Sequence, residues 1–393
     1  MSYTLGMTGP INVADFREFI DPAQWRDDLP KGQGGTPVNL LCRELLKRGQ
    51  KLVVFSCDAA IKEEIVLHGD NVRVCLGPKG VRPARNFFKV EREYLRRAIA
   101  REKPDLIHAQ WTYEYAMPVQ RSGIPHVITA HDTPLRCLWH NFIPYRIART
   151  LMAYRAISRA RRIVSVSPYV DQHLRRYMLY RGATEIIPNG MPEHVFVPSI
   201  DWDSTDRPFT FATILVGWGA YKNGHVAIEA FAKIRRTFPR ARLLMFGAGH
   251  GDQETAGLWA RERGLAAGIE FVGQLPYGAL MARVGSEVDV LVHPSLVEAQ
   301  PMALIEAMVR GIPVIGGESS GGVPWTLDHG RAGRLVDVRS SDALAEAMLD
   351  FAADPELRRG YAERALALAR ERFHIASVAD AWQVVYDQLA EGQ

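Results

Sequence analysis

The chain has 393 residues, of which 47% are hydrophobic and 23% charged, and its formal net charge is +4. This is the composition of an ordinary globular protein, and it excludes collagen-like, disordered and disulfide-stapled chains. The small net charge gives no sign of a nucleic-acid binder.

Short apolar runs predict strands over residues 3–7, 51–56, 105–109, 126–130 and 162–166, with amphipathic helices over 38–48 and 87–102. After Phe209 the pattern restarts. Strands are expected over 211–216, 242–246, 269–272, 288–292 and 313–315, and helices over 225–238, 253–263, 301–310 and 343–353. Residues 375–389 are helical in pattern. Strand–helix alternation predicts an α/β protein built of two Rossmann-like, doubly wound parallel-sheet domains facing a central cleft. The polar, proline-bounded segment 198–208 reads as the linker. The expected units are therefore 1–197 and 209–374, with 375–393 as a terminal helix. Ligands of such sheets lie outside the carboxyl ends of the strands.

The cysteines Cys42, Cys57, Cys75 and Cys137 form no Cys-x-x-Cys pair and read as buried free thiols in a reducing cytosol. No apolar run approaches the ~18 residues of a membrane span. Residues 1–10 lack the basic start and apolar run of a secretory signal, so a cytoplasmic location is expected.

Three turns have the chemistry of anion or sugar sites. In Lys31-Gly32-Gln33-Gly34-Gly35-Thr36-Pro37, Thr36 is placed to cap a helix and Pro37 to begin it, leaving free N–H groups for an anion. An ordinary capped glycine loop is the equal alternative. Gly247-Ala248-Gly249-His250-Gly251 follows a strand, but Asp252 stands where a dinucleotide fingerprint needs its third glycine. It reads as a strand-to-helix turn near a nucleotide, and an NAD-dependent oxidoreductase is set aside. In the run from Pro294 to Pro301, Gln300 is the expected cap and Pro301 the first helical residue. Glu298 then lies in the loop and Glu306 on the helix. Two carboxylates there could accept the hydroxyls of a ribose and a hexose; spacing alone favours reading Glu306 as a helix-surface carboxylate.

His293-Pro294-Ser295-Leu296-Val297-Glu298, Leu304-Ile305-Glu306-Ala307-Met308 and Arg310-Gly311-Ile312-Pro313-Val314-Ile315 carry a resemblance, with the two glutamates in E-x7-E spacing. Gly321-Gly322-Val323-Pro324, Gly333-Arg334-Leu335-Val336, Pro104-Asp105-Leu106-Ile107-His108-Ala109, Thr129-Ala130-His131-Asp132, Val166-Ser167-Pro168 and Ile187-Pro188-Asn189-Gly190 extend it in order. The sequence resembles the family 4 retaining glycosyltransferases of the GT-B fold.

That resemblance implies a nucleotide-sugar donor held by the carboxy-terminal domain and an acceptor held by the amino-terminal one. Glu306 would hold the ribose, Glu298 would lie by the transferred sugar, and Lys222 would bind the diphosphate. Gly35 would let the backbone approach the donor, and His131 would contact the sugar near the reacting carbon. Glu298, His131 and Lys222 are the implied catalytic set; Gln300, Pro301, Trp218 and Gly249 complete the implied donor site. His108 and Trp111 fall on the acceptor side, His108 either lining it or packing beneath it. His131 can also be read as a strand-end histidine satisfied by Asp132 or the backbone. The final helix would fold back across both domains. No cofactor and no metal are implied; Asp201-Trp202-Asp203 has the form of a metal motif but lies in the linker and reads as chance.

The sequence departs from the family at three places. Trp218 replaces an arginine, and its spacing to Lys222 is one residue short. Ala299 replaces glycine, and Trp325 replaces a glutamate. Trp218 in particular keeps a second reading open, a non-catalytic nucleotide-sugar-binding partner of another transferase.

From Ile143 to Gly182 there are nine arginines, no lysine and one acid, Asp171, interspersed with tyrosines. Arginine with aromatics suits a phosphate-bearing acceptor or peripheral contact with an anionic membrane at its inner face; solvated helix faces are the plainer reading. The acceptor classes are a glycan, a lipid-linked sugar or a small molecule.

Overall fold

The structure, a computed structural model, describes residues 3–197 and 207–392. Most of the expected linker, with its Asp-Trp-Asp run, lies outside the described residues. The chain divides into two compact units, Met1–Gly190 with Ile375–Gln393, and Met191–His374. Residues 191–197 side with the second unit because Met191 bridges to His374 and its N–H donates to the Phe373 carbonyl at 2.7 Å.

The first unit carries β1 (Thr4–Thr8), β2 (Lys51–Asp58), β3 (Ile65–His68), β4 (Val72–Pro78), β5 (Leu106–Gln110), β6 (His126–Ala130), β7 (Arg162–Ser165) and β8 (Ala183–Ile186). They form one sheet in the order β3-β4-β2-β1-β5-β6-β7-β8. All neighbours run parallel except β3, which pairs antiparallel with β4 through a tight Gly69–Asn71 connection. The sequence reading missed β3, β4 and β8. The central strands are almost wholly buried, as parallel strands covered on both faces must be. Helices α1 (Thr36–Lys47), α2 (Lys89–Glu102), α3 (Ala116–Val119), α4 (Pro134–His140), α5 (Pro144–Ile157) and α6 (Pro168–Tyr177) connect them.

The second unit has β9 (Thr210–Ile214), β10 (Arg242–Phe246), β11 (Ile269–Gly273), β12 (Val290–His293), β13 (Val314–Gly317) and β14 (Arg334–Val336), all parallel, in the order β11-β10-β9-β12-β13-β14. Its helices are α7 (Gly224–Ile234), α8 (Thr255–Glu262), α9 (Tyr277–Glu287), α10 (Met302–Met308), α11 (Val323–Thr326), α12 (Ser341–Ala353) and α13 (Pro355–Phe373). Phe211, Phe231, Leu243, Val292 and Phe351 centre its core.

The last helix, α14 (Ile375–Glu391), returns to the first unit. Val378, Trp382, Val385 and Tyr386 enter that unit's core beside Leu5 and Leu45. The four cysteines are free thiols; Cys42, Cys57 and Cys75 are buried and Cys137 half-buried. No helix among the described residues is long and apolar enough to cross a membrane.

Candidate active site

In the second unit the candidate residues follow the carboxyl ends of β9, β10 and β12. Gly217 (φ 83°) and Gly249 (φ 87°) adopt left-handed backbone, and the Gly217 N–H donates to the Ala248 carbonyl at 2.8 Å. The two glycine turns therefore lie against each other. Trp218 packs at this joint, its ring 5.6 Å from both His250 and Trp259. It fills space with an aromatic where an arginine was expected, so this position contributes no cation.

Asn223 (φ 57°) precedes α7 and donates from its amide to the carbonyls of Pro294 (3.1 Å) and Val338 (2.7 Å). The Leu296 N–H donates to the Tyr221 carbonyl at 2.7 Å. These bonds fasten the Lys222 turn to the loop after β12. The consequence is a compact triad: Lys222 Nζ lies 2.7 Å from Glu298 Oε1, and His293 Nε2 lies 3.2 Å from the same oxygen. Burial pushes the Glu298 carboxyl up, but Lys222 and His293 outweigh burial and hold it well below the usual carboxylate range. The Glu298 backbone is pinned as well, its carbonyl accepting from the Gly322 N–H at 2.7 Å. A side chain at Gly322 would collide with the Ala299 carbonyl, which accounts for the glycine at that position.

Two capping expectations are corrected. The helix begins at Met302, with Pro301 in the cap position and Gln300 before it, one residue later than expected. On the first unit's glycine loop, Gly35 itself (φ 80°) is the cap of α1, while Thr36 is already helical and makes no cap bond. An added Cβ at Gly35 would strike the Pro10 carbonyl oxygen.

Glu306 is not a surface carboxylate. It is 8% exposed, and burial lifts its pKa to about 7. Tyr277 faces it: burial first, then the Glu306 charge, push the phenol upward, and its hydroxyl has no hydrogen-bond partner among the described residues. Among those residues no group of three or more His, Cys, Asp or Glu is placed to hold a metal ion.

In the first unit, β5 and β6 bring His108, Gln110, Thr129 and His131 together. His131 Nε2 lies 2.6 Å from Gln110 Oε1. An amide oxygen only accepts, so Nε2 carries the proton and Nδ1 is left as an acceptor. Neither Asp132 nor the backbone satisfies it; Asp132 instead accepts from Tyr113 at 2.8 Å. Burial lowers the His131 pKa to about 3, so the ring is neutral. The ring of Trp111 (φ 64°) lies tilted against it, with centroids 4.3 Å apart. His108 packs beneath this cluster as a buried support, the second of its two readings. It is fully buried, 2.9 Å from the Tyr386 hydroxyl and 2.5 Å from Thr129 Oγ1, and it lies 4.0 Å from the Trp382 ring.

The sequence of residues 214–367 matches the family described as Glycosyl transferases group 1, and residues 35–194 match Glycosyltransferase Family 4. Together these cover most of the chain. The chain belongs to glycosyltransferase family 4. Among relatives, it is 31% identical over 280 residues to a phosphatidyl-myo-inositol mannosyltransferase of Mycolicibacterium smegmatis, covering 70% of this chain and 66% of that one. It is 26% identical over 242 residues to a D-inositol 3-phosphate glycosyltransferase of Corynebacterium jeikeium, covering 58% and 57%. The chain thus spans between about half and two thirds of the length of these curated relatives. A sucrose-phosphate synthase from Thermosynechococcus elongatus shares the GT-B fold over 100% of both chains, with a TM-score of 0.81 at 20% identity.

Within this family 4 chain, the sequence reading passed over Gln110, Asn223, His293 and Tyr277. Gln110 stands two residues after His108 on β5, so period-two alternation could have paired them. His293 opened a quoted motif without being given a role. Asn223 and Tyr277 had no local signal, because their partners come from distant loops. Trp325, another of the three departures, is structural: it packs edge-on against Phe373 at 6.0 Å, with Arg372 over its ring.

The arginine-rich stretch is not one basic face. Arg149 turns inward onto the Tyr113 ring (3.8 Å) beside Glu114, Arg162 pairs with Glu185, and Arg175 pairs with Asp171.

Proposed function

We propose that this chain is a retaining glycosyltransferase that moves a sugar from a nucleotide-sugar donor to an acceptor hydroxyl, in the synthesis of a surface glycan, polysaccharide or glycolipid. The observation that carries the reading is the Lys222–Glu298–His293 triad at the carboxyl ends of the second unit's strands, with buried Glu306 on the helix that follows the Glu298 loop.

On this reading the second unit holds the donor. Glu306 accepts the ribose hydroxyls, and Gln300 and Pro301 wall the site. Lys222 leaves Glu298 for the diphosphate, and Glu298 turns to the transferred sugar. The bond from the anomeric carbon to the diphosphate oxygen breaks, and the acceptor oxygen bonds to the same face of that carbon. The acceptor proton passes to the leaving phosphate oxygen. Charge stabilisation on that oxygen by Lys222 and by the amides opening α7 is the main catalytic contribution. His131, neutral, accepts from a donor-sugar hydroxyl and orients it.

The first unit takes the acceptor. A membrane-borne acceptor, approached from the cytoplasmic side, is supported by the phosphatidyl-inositol relative and by the arginines of 143–182 that form no ion pair among the described residues.

Thermal stabilisation by UDP, GDP, ADP, TDP and CMP and their sugar conjugates tests the donor site. One nucleotide at ~100 times its Kd adds about 2.7 kcal/mol. Stabilisation by none of them would leave the reading without a donor. Unchanged turnover in Glu298→Ala would remove Glu298 from the transfer step.

A further inference from the structure

Helices α4 and α6 enclose a groove of about 460 Å³ that the transfer reaction does not use. Its lining is overwhelmingly apolar, and Trp139 and Phe142 stand at its mouth with 81% and 76% of their surface exposed. The apolar surface continues beyond it. Leu151, one turn before Tyr154 on α5, is 55% exposed, and Leu179, just past α6, is 67% exposed. Tyr154 ties these elements together, its hydroxyl donating to the Tyr177 carbonyl at 2.7 Å. Soluble surfaces seldom leave so much aromatic and aliphatic area in water without a partner.

Two polar features define that partner. The His173 side chain in the groove is 2% exposed, and neither ring nitrogen has a hydrogen-bond partner among the described residues. Burial, then Arg136, lower its pKa to about 4, so it offers one N–H and one lone pair. The guanidinium groups of Arg136 and Arg176 flank the Tyr177 ring, 5.7 and 5.5 Å from its centre. Neither forms an ion pair among the described residues. Apolar area topped by unpaired arginine, with tryptophan at the boundary, matches the layering of a bilayer interface carrying negative charge. A single small ligand would leave Trp139, Phe142 and Leu179 uncovered.

We propose that the α4–α6 face docks on an anionic membrane, with Trp139 and Phe142 inserted at the interface and one lipid seated in the groove over His173. The inference rests on the proposed membrane-borne acceptor and locates its contact on α4, just before the arginine-rich stretch, and on α6 within it. Arg136 and Arg176 meet the headgroups.

The test is co-sedimentation with phosphatidylcholine vesicles, with and without equal phosphatidylglycerol, at low salt. Wild-type protein is expected to partition onto the mixed vesicles. Trp139→Ala/Phe142→Ala should bind at least tenfold more weakly, and Arg136→Glu at least threefold more weakly. Brominated lipid should quench tryptophan fluorescence in the wild type and clearly less in Trp139→Phe. Equal partitioning of wild type and the double variant overturns the proposal, as does no wild-type binding. A concentration-dependent dimer that the double variant abolishes, with no vesicle binding, would assign the face to a second copy instead. Nucleotide stabilisation of the same variants reports the donor site separately, so failure of docking and failure of the transferase reading are distinguishable.

Discussion

Lys222 Nζ and Glu298 Oε1 lie 2.7 Å apart, so the cation proposed for the diphosphate neutralises the carboxylate proposed for the sugar. Both side chains are mostly buried, at 17% and 15% exposure. Removing one partner strands the other charge. Lys222→Ala should destabilise the protein by about 3 kcal/mol and lower kcat roughly 10²–10³-fold. Because the folded Glu298 carboxyl is held below its unfolded value, its contribution is present above the unfolded pKa and disappears as pH falls through the folded one. Urea unfolding from pH 7 down to pH 3 should therefore show a steeper acid loss in wild type than in Lys222→Ala/Glu298→Gln. Parallel curves would mean that the pair contributes no pH-linked stability.

Glu306 predicts the opposite slope. Its folded pKa, about 7, is above the unfolded value, so the protonated form stabilises the fold. That contribution is complete below the unfolded pKa and fades as pH rises through 7. Ribose hydroxyls need the ionised form. Nucleotide affinity should rise by up to about tenfold per pH unit below 7 and level off above it. Calorimetric titrations from pH 5.5 to 8.5 check this, and Glu306→Gln should give a flat, weaker profile. A flat wild-type profile would take Glu306 out of nucleotide binding.

His131 should contribute no inflection to the pH–rate profile between pH 5 and 9, since burial holds its pKa near 3. Its tautomer is set by Gln110. Gln110→Leu should lower kcat by about tenfold with little change in KM, and shift the His131 ring nitrogen resonances away from the Nε2–H pattern. Loss of activity with unchanged resonances would make Gln110 merely a packing residue.

Adjacent glycines should respond unequally. Gly34 (φ 85°) and Gly35 (φ 80°) both have left-handed backbone, but a Cβ on Gly34 meets nothing within 4 Å, whereas one on Gly35 strikes Pro10. Gly34→Ala should cost about 1 kcal/mol and Gly35→Ala about 3 kcal/mol, read as the difference in urea midpoints. Equal losses would mean that strain alone, and not close approach to Pro10, explains the loop.

Much of the architecture was legible in the chain because buried parallel strands are short, unbroken apolar runs, such as Leu52–Phe55 and Val290–Val292. β3 and β4 escaped because polar residues such as Arg73 and His68 interrupt an edge hairpin. The two glutamates were legible as a spacing, but their states were not.

Residue order alone determined the alternation of strand and helix, the glycines that must turn with positive φ, and the place of each motif at a strand's carboxyl end. These are local properties, set by side-chain period and backbone sterics. Tertiary structure decided the rest. It paired Lys222 with Glu298 across the 2.7 Å gap, buried Glu306, handed His131 to Gln110, and turned Arg149 inward while leaving Trp139 outside. Each of those outcomes depends on which distant atoms replace water around a charge or ring, and desolvation is a property of the folded surroundings.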